Sequence, residues 1–459
     1  MSATVERLLA LRLPYLAGLQ LDSDIHVISF TVIISLLGGC LFGVLPAIQV
    51  SRSDPAQTLK EDSQDSLGRL RKIPLGSALV AAQIVISLGL LSCATLFLRT
   101  LENLDSADRG FTDNQVMLFS VNPAGSGYTG TRAFNFYESL KQSLRALPGV
   151  DSVSFSFSSP LSGNDSTTMI SQFGSNPVVH QNSHAHRNMV SAGYFRTTGI
   201  SLLAGRDFNS RDAGNAPRVA IVNQSFAKDW FGAESPLGRR LGYGPGQNSG
   251  PVEIVGVVAD SKYDSLREQH VPMVYLPYRQ FSAQAMTFEM RVSGVSHSLL
   301  PAIRRLAGST VPVTDITTLA EQVGQSLIRE RLLTSLTSCF AGLTLLLAAL
   351  GLFGLISYRV VRRTREIGLR MALGARRTNV LGLVLKDSLL SVAIGVVAGL
   401  PCALGAGRIV QALLFGITPA DPIAVLAPIA VIALTCLCAA FLPLHRALHL
   451  EPMSALKRE

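Results

Sequence analysis

Long stretches of this chain carry no charge at all, and that constrains its fold more than any other feature. About 20 uncharged, mostly apolar residues form a helix of about 30 Å, the thickness of a bilayer's hydrocarbon core. Five such runs occur: Val27–Ile48, Leu75–Leu98, Leu332–Tyr358, Ser388–Ala406 and Pro422–Pro443. Buried core helices average about 11–12 residues and rarely lose every charge, so these runs predict five membrane-spanning helices. The fourth is loosened by Gly395, Gly399, Pro401 and Gly405. Composition agrees, since only 15% of the residues are charged and 48% are hydrophobic, against about a quarter charged in a soluble globular protein. All six cysteines (Cys40, Cys93, Cys339, Cys402, Cys436, Cys438) fall inside the runs. No disulfide framework is expected, and Cys436-Leu-Cys438 lacks the spacing and polar partners of a metal site.

The charges that remain set the topology. The net charge of +9 is not spread as a nucleic-acid footprint would be. Acids and bases nearly balance over 99–331, and the basic excess gathers at Arg52 to Lys72, Arg359 to Lys386, and the tail from His445 to Arg458. Short basic loops stay on the cytoplasmic side, and alternating spans put all three there. Residues 1–25, 99–331 and 408–420 are then outside, and 49–74, 359–387 and the tail inside.

Two of the inside segments resemble each other. "LPAIQVSRSDPAQTLKED" after the first run and "LPLHRALHLEPMSALKRE" at the end share Leu45/Leu442, Pro46/Pro443, Pro55/Pro452, Leu59/Leu456 and Lys60/Lys457 at one constant spacing. Each is a span ending at proline, then a basic stretch, then an acidic-Pro pair able to open a helix. Residues 1–62 therefore read as the end of one copy of a unit whose complete second copy follows. The chain is expected to lack most of a first half.

The outside region alternates strand and helix signals. "NQVMLFSV" (114–121) is strand-like, and "TRAFNFYESLKQSLRAL" (131–147) places Phe136/Tyr137, Leu140, Leu144 and Leu147 on one helix face. Pro148-Gly149 stops that helix, and "VDSVSFSF" (150–157) alternates with period two. The pattern returns in 218–231, 252–261, 273–278 and 286–292, with closing helices over 297–308 and 317–333, the latter opened by a Thr318-x-x-Glu321 capping box. Several mixed α+β subdomains are expected.

No enzyme emerges from this region. His180, His184 and His186 in "HQNSHAH" have no Cys or closely spaced acid beside them and sit in a loop-like composition, so they make a weak metal set. Ser159, Ser162 and Asp165 in "SSPLSGNDS" lack a nucleophile-elbow setting. Asp260 follows an apolar strand, where acids usually serve turns. No catalytic, cofactor or metal residue is assigned.

One inside segment is patterned rather than merely basic. In "RRTREIGLRMALGARR" (362–377), Thr364 can cap, Glu366 suits a first helical turn and Gly374 can end it. A surface helix on acidic lipid is one reading; a short coupling helix that docks into a motor is the other.

"RTREIGLRMALGARRTNVL" (363–381) resembles the cytoplasmic loop of MacB/FtsX-type ABC transporter permeases, and "YFRTTGISLLAGRDF", "VNQSFAKDWFGAESPLGRRL" and "VEIVGVVADS" resemble their periplasmic core. The likeness covers nearly the whole chain, and it is closest to the duplicated permeases of acidobacteria. It implies an α-helical membrane protein with a large extracytoplasmic α+β domain of MacB-like periplasmic core type, multi-pass in the bacterial inner membrane with that domain in the periplasm. It divides the chain into 1–62, the end of a preceding permease repeat with span 27–48; 63–98, a cytoplasmic linker and span 75–98; 99–331, the periplasmic core; and 332–459, an FtsX-like permease domain with spans 332–358, 388–406 and 422–443. The resemblance makes 363–377 the coupling segment, with Arg365, Glu366, Ile367, Gly368, Arg370, Ala372, Gly374 and Ala375 facing the ATPase. The implied partners are a separate ABC ATPase, a missing first half or second permease copy, a periplasmic protein and membrane lipid. The chain contains no Gly-Lys pair, so it has no P-loop with which to cradle ATP phosphates; any motor is expected on another subunit. The implied function is force transmission for efflux or envelope export. The alternative is an ATPase-less membrane sensor or interaction protein of the same fold.

Overall fold

A computed structural model describes residues 75–172, 184–243, 251–362 except 270, 282–284, 294–298 and 309–310, and 377–448, together with Ile25, Ser29, Val32 and Ile33. The first expected span, 27–48, lies almost wholly outside the described residues. Among those described, four helices are long and apolar enough to cross a membrane: Gly76–Asp105, Ile328–Val361, Leu389–Ile409 and Pro422–Phe441. They belong to α1 (Leu75–Asp105), α7 (Ile328–Arg362), α8 (Arg377–Ile409) and α9 (Pro422–Leu448). Three run well past their uncharged stretches, because polar residues continue a helix wherever it leaves the hydrocarbon. Pro401 stays inside α8 without ending it.

The outer region supplies the other elements in order: β1 (Val116–Val121), α2 (Gly130–Arg145), β2 (Val150–Ser156), β3 (Thr167–Gln172), β4 (His184–Val190), α3 (Tyr194–Thr198), β5 (Leu202–Gly205), β6 (Val219–Asn223), α4 (Gln224–Phe231), β7 (Arg240–Tyr243), β8 (Pro251–Val258), β9 (Met273–Pro277), β10 (Met286–Val292), α5 (Leu300–Ala307), β11 (Val313–Thr318) and α6 (Leu319–Ser326). The expected separate subdomains are instead one continuous 11-stranded sheet. Its first part is an antiparallel ladder in the order β11-β1-β10-β2. From β4 the hydrogen-bonded neighbours run β3, β7, β8, β6 and β9, and β9 pairs back onto β4 in parallel, His186 opposite Met273 and Val190 opposite Pro277. Six strands thus close a ring of pairings. β5 adds to β8 outside it.

Two apolar clusters hold this region. In one, the rings of Phe119, Phe155 and Phe288 pack with Tyr137 of α2, Phe119 and Phe288 stacked at 5.2 Å. In the other, Tyr194 and Phe195 of α3 meet Tyr275, with Leu104 of α1 and Leu327 in the same cluster. The expected capping box opens α6: Thr318 Oγ1 accepts from Glu321 N at 3.1 Å, and Glu321 Oε2 accepts from Thr318 N at 3.0 Å. That helix is shorter than the sequence implies, breaking at Leu327 before α7 begins at Ile328.

The described chain separates into two compact units, one of Met1–Gln83, Ala348–Gly395 and Cys438–Glu459, the other of Ile84–Leu347 and Val396–Leu437. In the first, α1 and α7 approach through small residues: a Cβ on Gly351 would lie 2.5 Å from Gln83 Oε1, and one on Gly76 3.2 Å from Leu355. Close approach over small residues is how helices associate without a hydrophobic driving force. Arg359 donates to Ser77 Oγ at 2.6 Å in the same unit. In the second, Gly399 of α8 sits against Val85 and Leu88 of α1, its Cβ position 3.0 Å from the Leu88 side chain.

Candidate functional site

Arg365, Glu366, Ile367, Gly368, Arg370, Ala372, Gly374 and Ala375, the expected coupling residues, lie outside the described residues. The helices on either side of them are described, α7 ending at Arg362 and α8 beginning at Arg377. The segment is thus the link between two candidate spans.

The outer end of α1 and the start of α9 carry the polar contacts that pure spans lack. Asp421, just before α9, accepts from Ile423 N at 2.9 Å and Ala424 N at 3.4 Å, and from Arg99 of α1 at 2.5 Å. Asn103 of α1 donates to Phe415 O at 3.2 Å. The route from sheet to span is short. β11 ends at Thr318, α6 begins at Leu319, and one residue, Leu327, separates α6 from α7. β1, the first strand after α1, pairs antiparallel with β11, Met117 opposite Thr318. The strands linked to α1 and α7 are therefore hydrogen-bonded neighbours.

The outer region also buries a charged cluster. Glu289 of β10 is fully buried, and Ser154 Oγ (2.8 Å) and Ser156 Oγ donate to its carboxylate. Burial pushes the Glu289 pKa up to about 7, although the two serines and Lys141 favour the charged form. Lys141 of α2 donates to Ala192 O at 2.6 Å, and burial lowers its ammonium below the usual range. Burial likewise raises Asp207, against the amides of Phe208 and Gly193. Beside these groups lies a cavity of about 100 Å³ lined by Glu138, Lys141, Phe208, Asp212, Tyr278 and Arg279. Tyr278 donates to Glu138 and accepts from Arg279, so the lining is largely self-satisfied.

Local reading missed several contacts. "HQNSHAH" is not simply a loop, since His184 and His186 belong to β4. Its acid comes from elsewhere in the chain: His186 Nδ1 lies 2.6 Å from Asp165 Oδ1. His180 is outside the described residues, and among those described no cluster of three or more metal-type ligands occurs. Ser159 and Pro160 O accept from Gln322 of α6 at 3.0 and 2.6 Å, while Ser162 pairs with Ser158 at 2.7 Å. Asp260 accepts from Asn223 Nδ2, Ser225 N and Ser225 Oγ, bracing the first turn of α4. These hydroxyls and carboxylates hold the loops and helix starts together.

Apolar helices joined to an extracytoplasmic sheet domain define a membrane permease with a periplasmic domain. The MacB-like periplasmic core domain family matches residues 77–325, and the FtsX-like permease C-terminal family matches 338–452; the chain belongs to the MacB/FtsX-type ABC permeases. Among its relatives is an uncharacterized ABC transporter permease, YknZ, of Bacillus subtilis, 28% identical over 241 residues, covering 49% of this chain and 58% of YknZ. Another is the macrolide export ATP-binding/permease protein MacB 2 of Aeromonas hydrophila, 27% identical over 296 residues, covering 60% of this chain and 44% of the relative. The chain thus spans about half the length of these relatives. The crystal structure of the periplasmic region of MacB from Actinobacillus actinomycetemcomitans matches at TM-score 0.33 and 17% identity, over 49% of this chain and 97% of that one, a likeness too slight to argue from.

Proposed function

We propose that this chain is the transmembrane permease subunit of a MacB/FtsX-type ABC system in a bacterial inner membrane. It takes force from a separate cytoplasmic ATPase through 363–377 and delivers it to the periplasmic domain, for efflux or envelope export. A second permease copy or a preceding repeat completes the assembly. The chain itself performs no catalysis and binds no ATP, in keeping with the missing P-loop.

The observation that carries this reading is the pairing of β1 with β11. β11 runs through the capped α6 into α7 with one intervening residue, leaving little slack on that side. Displacement of α7 relative to α1 loads the β1–β11 ladder directly.

Co-purification with candidate ATPases tests the proposal, comparing wild type with Glu366→Lys and Gly374→Leu. Reversing Glu366 costs roughly 0.3–1 kcal/mol at a helix start and roughly 2–5 kcal/mol if a buried interfacial pair is broken. Both variants are expected to lose the ATPase. Equal capture by all three chains sinks the coupling role of 363–377, and no capture by wild type replaces this reading with a sensor or interaction protein.

A further inference from the structure

The second unit contains a three-way contact centred on one guanidinium. Arg267 lies in the loop after β8, and that loop is closely determined. Glu268 accepts from the amides of Tyr263, Asp264 (3.2 Å) and Ser265 (3.3 Å), and Lys262 donates to Glu268 O. Leu266 is buried in the apolar cluster that also holds Val323 and Leu327. From this fixed base, Arg267 Nε donates to Glu330 Oε1 at 3.0 Å, in the first turn of α7. Its NH2 group donates to Leu413 O at 2.9 Å, at the end of the short helical turn Gln411–Leu413 between α8 and α9.

Both acceptors depend on this donor. The Glu330 side chain is 11% exposed, and its Oε2 is buried with no hydrogen-bond partner, so Arg267 is its compensating charge. Removing one partner of such a pair strands the other in a low-dielectric site. Leu413 O closes a helical turn, where carbonyls lack intrahelical donors. A planar fork with several fixed donors can serve a carboxylate and a carbonyl at once, whereas a lysine ammonium acts as a point charge on a flexible stem.

We propose that Arg267 is a positioning residue that clamps the start of α7 and the turn between α8 and α9 to the outer domain, so that both move with the sheet. The clamp concerns this chain alone; its use in force transmission rests on the function proposed above.

Hydrogen exchange on the full chain in lipid nanodiscs, with no ATPase present, tests the clamp separately from that function. The reporters are the amides of Leu413 and Leu414, bonded to Val410 O and Gln411 O, and of Arg331, bonded to Leu327 O. In Arg267→Ala they are expected to exchange about ten- to a hundredfold faster, the effect of losing a hydrogen bond to a charged group. β1 and β10 should keep native protection. Arg267→Lys should keep protection at one of the two segments and lose it at the other. The exchange Arg267→Glu with Glu330→Arg restores the ion pair, but a carboxylate cannot donate to Leu413 O; Arg331 should recover and 413–414 should not. Native protection at 413–414 in Arg267→Ala overturns the clamp, as does recovery at both segments in the double variant. Loss spread evenly through β1 and β10 also overturns it, by making Arg267 a requirement for folding instead.

Discussion

The sheet domain and α7 use the same residue types in opposite ways. Leu118 in β1 is 1% exposed and Phe288 in β10 is fully buried, whereas Leu343 and Phe340 in α7 are 52% and 56% exposed. Leu336, Leu346, Leu347 and Leu350 are displayed like them. In water such a surface would be a strong association site; in lipid it costs nothing, because the tails are as apolar as leucine. The polar groups divide less cleanly, since Ser152 of β2 also buries a hydroxyl without a partner. The sheet domain buries Glu289 and Asn188 with partners: Asn188 Oδ1 accepts from Ser158 N, and its amide donates to Ser158 O. α1 holds Ser87 and Ser92 with buried hydroxyls that have no partner. The sheet domain gives partners to a buried carboxylate and a buried amide, the groups most costly to strand, while a membrane helix satisfies its backbone internally; a lone hydroxyl is given up in both.

The largest test of that contrast is all-or-none. On a cysteine-free background, Ser210→Cys in the outer domain and Thr378→Cys at the start of α8 are offered a membrane-impermeant thiol reagent in intact cells. Only the first should react. Labelling of Thr378→Cys would place both regions on one side and undo the lipid reading of the helices between them.

Interior and lipid-facing positions should then differ in what truncation costs. Phe288→Ala empties a ring-filled core and should cost about 3–5 kcal/mol. The transition can be followed by the chain's single tryptophan, Trp230, which stacks on Phe226 in the same cluster. Leu343→Ala, followed by circular dichroism in micelles, should cost less than about 1 kcal/mol, the scale of one apolar side chain in a membrane helix. Equal losses would mean that the outward face of α7 is packed against protein.

A pH series sharpens the polar half of the comparison. Glu289 titrates near 7 when folded, against an ordinary 4.5, with burial as the main cause. Between those values the folded chain binds more protons than the unfolded one. Stability from this group is therefore fully present below about pH 4.5 and is lost as pH rises through 7, a fall of about 3 kcal/mol. Trp230-monitored denaturation of the full chain should show that slope, and Glu289→Gln should flatten it. Asp207, also raised by burial, contributes in the same sense and remains in both chains. An identical slope in the variant would show that Ser154 and Ser156 already offset the burial.

Much of this architecture was legible locally, and the misses share one physical cause. β2, β6, β8, β9 and β10 announce themselves through β-branched and aromatic residues in short alternating or continuous runs, and α2 and α6 through their apolar face and capping box. β4 does not: "HAHRNMV" is polar for most of its length, yet Ala185, Asn188, Met189 and Val190 are buried. Its strand character comes from β3 on one side and β9 on the other, and pairing across such separations leaves no trace in local periodicity. The same holds for the ring, for Asp165 beside His186, and for Arg267 reaching Glu330 and Leu413. The four described candidate spans were legible because a run without charge needs no partner to be interpreted; the fifth expected, 27–48, lies almost wholly outside the described residues. The patterned segment 363–377 was legible as a motif, and its residues lie outside those described.

A smaller effect than those in the sheet domain falls where a membrane helix borrows a device of water-soluble folds. Asp421 sits before Pro422, the favoured arrangement for a helix start, with proline where no amide donor is needed. Its Oδ1 accepts from Ile423 N and Ala424 N, and the pair with Arg99 joins α9 to α1. Asp421→Ala removes the cap and the pair and should cost about 1–2 kcal/mol. Asp421→Asn keeps a capping oxygen and loses the charge, so it should cost about 1 kcal/mol or less, the range of a partly exposed ion pair. Thermal unfolding of the full chain in nanodiscs, at low and at high salt, separates the terms. The Asn variant should differ from wild type mainly at low salt, where the pair is least screened, and the Ala variant at both. If Ala and Asn behave alike, the contact with Arg99 holds this end of α9, and capping contributes little once a helix enters the bilayer.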